Sequence, residues 1–230
     1  MPDSLATIWG AISSELRYMS AHPLEIIAAV TSLICVYLSV KNNIWNWFWG
    51  LIGCILYGYI FFKQHLYANA GLQILYFVPM QFVGWYVWYK GNPDKDDAVP
   101  VTALKNPARI GWSAATLAIS GLLFVGLSPL VKALGFPPPQ LSGWDTLTTG
   151  MSIVAQYLQT VKKIENWILW ILVDIIYTFI IFPKLKLPVT TLLYAVFTFL
   201  AIAGARDWYK LMQKGASVED DGTPPLESQR

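Results

Sequence analysis

The stretch from Val36 to Lys90, VYLSVKNNIWNWFWGLIGCILYGYIFFKQHLYANAGLQILYFVPMQFVGWYVWYK, returns 120 positions later as Gln156 to Lys210, QYLQTVKKIENWILWILVDIIYTFIIFPKLKLPVTTLLYAVFTFLAIAGARDWYK. Laid on each other without a gap, 15 of the 55 pairs are identical. They include Asn46 with Asn166, Trp47 with Trp167, Tyr57 with Tyr177 and Gly84 with Gly204, and the run Trp88-Tyr89-Lys90 recurs as Trp208-Tyr209-Lys210. Biased composition alone supplies about four such pairs, so the chain carries an internal duplication.

Each copy is too apolar for a soluble domain. Of the 230 residues, 55% are hydrophobic and 13% charged, and the mean hydropathy is positive, whereas soluble domains carry about 25% charged residues. A helix needs about 20 residues to cross a bilayer. Seven apolar segments of suitable length can be drawn, at 24–40, 45–62, 66–89, 110–131, 144–160, 166–182 and 188–208. Continuous runs such as Leu66 to Tyr89 favour helices over the short alternating strands of a membrane barrel. Three spans fall in each copy. Two odd-numbered units joined directly would face opposite ways, but the span at 110–131 restores a common orientation. The expected fold is therefore an all-α membrane protein with seven transmembrane helices arranged 3+1+3, as two parallel three-helix repeats. Such repeats place a substrate site between the halves near the midplane.

The expected organisation is an N-terminal amphipathic segment at 1–22, a first repeat at 23–90, a linker carrying the fourth span at 91–139, a second repeat at 140–210 and a disordered polar tail at 211–230. In the first segment Leu5, Ile8, Trp9, Ile12, Leu16 and Met19 recur at helical spacing, as in a helix lying in the interface. Eleven Lys and Arg fall on one side of the seven spans against five on the other. The positive-inside rule then puts the N-terminus outside and the C-terminus in the cytoplasm.

The small net charge of +2, with dispersed Lys and Arg, excludes a nucleic-acid surface. Cys35 and Cys54 both lie in apolar runs and read as packing residues. His22 and His65 lack ligand partners at metal spacing, so no metal is expected, and no phosphate-cradling loop with Lys points to ATP. No cofactor is called for.

A family resemblance rests on Asn46-Trp47-Phe48-Trp49-Gly50, Ile60-Phe61-Phe62, Leu66-Tyr67-Ala68, Leu72-Gln73 and Gly84-Trp85-Tyr86 with Trp88. In the second copy Ser152-Ile153-Val154-Ala155 and Glu165-Asn166-Trp167-Ile168-Leu169-Trp170 complete it. Across most of residues 25–210 the chain resembles the PnuC transporters. It departs from their usual pattern at Gly53 and Gln81, where Asn is commoner. The 3+1+3 plan is similar to that of the SWEET facilitators. The resemblance implies facilitated diffusion of nicotinamide riboside across a bacterial inner membrane, with trapping by a separate cytoplasmic kinase. Thiamine is the competing ligand. A homo-oligomer is expected, and a flat apolar exterior suits a trimer.

Asp174 is the most informative residue, since a carboxylate at mid-span costs about 2.5 to 3.5 kcal/mol on insertion scales. A protonated carboxyl, or one bonded to a neighbouring helix, is the structural reading; facing a pathway is the functional one. Nicotinamide riboside carries a fixed positive charge that a midplane carboxylate would offset. At 3.6 residues per turn Asn166, Trp170, Asp174 and Tyr177 share a face, as do Asn46, Gly50 and Tyr57. Asn46 and Asn166 also suit helix N-capping. Gln73 and Gln81, with Phe77 between them, supply amides for a carboxamide or ribose hydroxyls, or equally for an interhelical bond. Their second-copy partners are Leu193, Ala201 and Phe197, and this asymmetry fits a lopsided ligand. Trp47, Trp167, Trp170 and Tyr177 are candidates for stacking on a flat cation, worth about 2 kcal/mol when desolvated, or equally for packing in the core. Trp85, Trp88, Trp208 and Tyr209 are expected in interfacial aromatic belts. Against a membrane enzyme with Asp174 as acid or base stands the lack of a paired carboxylate, a nucleophile with its base or an aspartate-rich metal motif.

Overall fold

The structure, a computed structural model, describes residues 22–90 and 100–220, with side chains described as far as 214. The amphipathic segment expected at 1–22 lies outside the described residues but for His22. Among the described residues seven helical rods follow one another: α1 (Pro23–Val40), α2 (Asn46–Lys63), α3 (67–90), α4 (Asn106–Ala133), α5 (Ser142–Thr160), α6 (Asn166–Leu185) and α7 (Pro188–Asp220). Four of them, α1, α4, α6 and α7, are long and apolar enough to cross a membrane. The last rod continues ten residues into the expected polar tail, because Leu211 and Met212 extend its apolar pattern and the first Pro stands only at 224.

Successive rods alternate in direction. The ends of α1, α3 and α5 and the starts of α2, α4 and α6 gather at one end of the bundle. There Trp88 donates to Thr160 O at 3.2 Å, Trp208 donates to Ser39 O at 3.4 Å, and Thr102 N donates to Lys162 O at 3.1 Å. Six rods form a ring in the order α1, α2, α3, α5, α6, α7, in which α7 closes on α1 and α3 packs on α5. The remaining rod, α4, lies outside against α5. Its residues Ile110, Leu117, Leu122 and Val125 are exposed, as expected of a helix facing lipid.

Positions 120 apart make matching contacts. Trp47 meets Trp88 edge to face at 5.2 Å, and Trp167 meets Trp208 in the same way at 5.4 Å. A Cβ on Gly84 would lie 2.5 Å from Trp47 Cζ2, and one on Gly204 the same distance from Trp167 Cζ2. Glycine is required at both places because the indole lies on the helix backbone. Asn42 and Lys162 each turn the chain with φ near +50° (53° and 49°).

One segment breaks this register. Leu66 N donates to Phe61 O and Leu187 N to Phe182 O, which is an offset of 121. The cause is a pair of π-turns, at Tyr177–Ile181 in α6 and at Leu72–Phe77 in α3. A π-turn accommodates one extra residue in a helix, so the first adds a residue to the second copy and the other adds one to the first. The two cancel, and the sequences align without a gap.

Candidate functional site

Inside the ring is a cavity with about 780 Å³ of space not filled by protein, its open mouth included. All six ring helices line it. Its walls are aromatic on the α6 and α7 side, where Trp167, Trp170, Tyr194 and Phe197 stand, and Phe77 of α3 meets Trp170 at 6.1 Å.

Of the sequence-derived candidates, Gln73, Phe77, Gln81, Trp167, Trp170 and Asp174 line this cavity together. Asp174 is the ninth of the twenty residues of α6 and is 4% exposed. Among the described residues no donor bonds its carboxylate and no cation pairs with it. Gln81 donates to Phe77 O at 3.2 Å within its own helix. Its Oε1 lies 2.5 Å from where a Cβ on Gly50 would be, so the bare glycine makes room for the amide. The π-turn of α3 contains both Gln73 and Phe77, and that of α6 begins three residues after Asp174.

The other four candidates are buried outside the cavity lining. Asn46 and Asn166 occupy the first turns of α2 and α6 and donate to Asn43 O at 2.7 Å and Lys163 O at 2.6 Å. Neither caps its helix through the side chain; each bonds the turn before it. Trp47 lies against Gly84 and Trp88. Tyr177 stacks on Phe182 at 4.6 Å and donates its hydroxyl to Asn69 Oδ1.

Several cavity residues were not singled out from sequence. Trp170 donates its indole N–H to Gln159 Oε1 at 2.8 Å, and Gln159 donates to Ser39 Oγ at 3.3 Å. Gln156, one turn earlier, is 6% exposed, and its Nε2 has no partner among the described residues. Amides inside an apolar bundle are the signal that points to both, because each costs free energy unless it meets a partner or a ligand. Cys35 and Cys54, read as packing residues, also face the cavity. Trp88 and Trp208, expected in aromatic belts, are 5% and 0% exposed and bond helix ends instead. No group of His, Cys, Asp or Glu able to hold a metal occurs among the described residues.

An aromatic-walled chamber lined by the Asp174 carboxylate and enclosed by six helices of a membrane protein suits passage of a small polar solute. The family model for the nicotinamide mononucleotide transporters matches residues 22–210. The chain belongs to the PnuC family. It is 30% identical over 203 residues to the nicotinamide riboside transporter PnuC of Escherichia coli (strain K12), covering 80% of this chain and 84% of that one. It is also similar to the riboflavin/roseoflavin transporter RibM of Streptomyces davaonensis, 27% identical with 87% and 91% covered. A crystal structure of the vitamin B3 transporter PnuC superposes with a TM-score of 0.72 at 27% identity, covering 91% of this chain and 90% of the other. PnuC proteins are transporters, and the enzyme reading of Asp174 falls away.

Proposed function

We propose that this chain carries nicotinamide riboside down its gradient across a bacterial inner membrane, a separate cytoplasmic kinase trapping the solute by phosphorylation. The carrying observation is Asp174, a carboxylate without a partner among the described residues at the middle of a span, in a chamber walled by Trp167, Trp170, Tyr194 and Phe197. A flat cation meets both needs at once: the rings stack on it, and the carboxylate offsets its charge where the dielectric is low. The names of the curated PnuC relatives support the same solute.

In this reading α1–α3 and α5–α7 are parallel three-helix repeats joined by α4, and they rock about the chamber. Matching contacts at Trp47 and Trp167, Gly84 and Gly204, and Asn42 and Lys162 support that arrangement. The end that carries Trp88 and Trp208 is the cytoplasmic one, with the N-terminus outside, residues 1–22 in the interface and the assembly a homo-oligomer, as a trimer.

A second reading comes from the similarity to RibM, because riboflavin is flat but uncharged and leaves Asp174 without a counter-charge. Calorimetry of the purified protein with nicotinamide riboside, thiamine and riboflavin separates the three. Nicotinamide riboside is expected to bind most tightly. Tighter binding of riboflavin would overturn the assignment.

A further inference from the structure

The halves meet along two seams, α1 against α7 and α3 against α5. At the end of the bundle where α1, α3, α5 and α7 start, each seam is tied by a buried carboxylate. Glu25 of α1 accepts from Thr190 N at 3.0 Å and from Thr190 Oγ1 at 2.6 Å, at the start of α7. Asp145 of α5 accepts from Ala68 N at 3.0 Å and Asn69 N at 3.1 Å, at the start of α3, and from Asn69 Nδ2. Glu25 and Asp145 are themselves 120 positions apart, and Asn69 and Thr190 are 121 apart, the offset that the π-turns create in this segment. The first helix of each half therefore caps the third helix of the other.

The opposite end repeats the scheme with different chemistry. Trp88 of α3 donates to Thr160 O at the end of α5, and Trp208 of α7 donates to Ser39 O in the last turn of α1. These donors are also 120 apart. Between the ends, Tyr76 Oη donates to Ile153 O at 3.0 Å and ties one seam at mid-depth. Its counterparts Val196 and Leu33 make no such bond possible across the other seam.

We propose that Glu25 with Asp145 and Trp88 with Trp208 form the two gates of transport, which open alternately as the halves rock about the chamber. The inference rests on the transporter reading above. Rigid halves that separate at one end must break the ties of both seams there together, and the crossed pairs meet this requirement. The bonds also suit reversible opening, since they use groups at helix ends. Water entering an open gate satisfies the freed carboxylates, N–H groups and carbonyls, so opening leaves no buried polar group without a partner. Closing restores the bonds and shuts out water.

The cavity thiols Cys35 and Cys54 report opening directly. In right-side-out and inverted vesicles, labelling by a membrane-impermeant maleimide is measured from each face. Glu25→Gln with Asp145→Asn is expected to raise the rate about tenfold from the face nearest those residues, and Trp88→Phe with Trp208→Phe about fivefold from the opposite face only. Single substitutions carry the test should a double variant not fold. A rise from both faces alike, or none from either, overturns the gates. Uptake of nicotinamide riboside by the unsubstituted protein is measured alongside: its absence would defeat the transport reading itself, whereas uptake with face-independent labelling defeats the gates alone.

Discussion

Trp170 and Gln159 are joined by a 2.8 Å hydrogen bond from indole to amide, and Gln159 is held in turn by Ser39 of the other half. The ring is thus fixed in the chamber by a chain that passes from one half to the other. Gln159→Leu removes the acceptor while keeping most of the volume. Affinity for nicotinamide riboside is expected to fall about fivefold through loss of one hydrogen bond's worth of preorganisation, with little change in thermal midpoint. Calorimetry and a thermal melt read the two effects separately, and a large drop in midpoint with unchanged affinity would assign the bond a structural role alone.

Asp174→Asn keeps shape and removes charge. Binding of cationic nicotinamide riboside is expected to weaken by at least about tenfold, from the Coulomb attraction lost in a low-dielectric chamber. Its reduced, uncharged form should lose much less. Equal losses for the two forms would refute charge matching.

Gly50→Ala places a methyl 2.5 Å from Gln81 Oε1 and 3.1 Å from Cys35 Sγ. Both neighbours are ends of flexible side chains, so the protein should fold, with Gln81 displaced. Weaker binding without loss of stability is the expected pattern in calorimetry and a melt.

Gly84→Ala and Gly204→Ala meet something stiffer. Each new Cβ would press on the indole of Trp47 or Trp167, buried rings that are 1% and 2% exposed. Overpacking of this kind costs about 1 to 3 kcal/mol. The two variants should lower the thermal midpoint by similar amounts, since the two environments match.

These contrasts mark what the sequence reveals and what it conceals. The seven rods follow from apolar runs, and their bounds agree with the drawn segments to within a few residues except at the far end of α7. The pairing of Trp47 with Gly84 and of Trp167 with Gly204 is implicit in the 120-residue register. The π-turns are hidden because each inserts one residue and the insertions cancel, leaving no gap to notice. Glu25 and Asp145 stand upstream of the aligned stretch, and an acid in a first turn looks ordinary. Extending the register to them is the signal that would have found the pair. Faces drawn at 3.6 residues per turn put Asn166 with Asp174, but the start of α6 lies at the bundle end, so Asn166 bonds Lys163 O and not the chamber.

Uptake of labelled nicotinamide riboside into proteoliposomes tests the central claim most directly. Vesicles holding the purified protein should fill to the external concentration, without ATP and unaffected by ionophores, far faster than empty ones. Entry no faster than into protein-free vesicles would contradict the account.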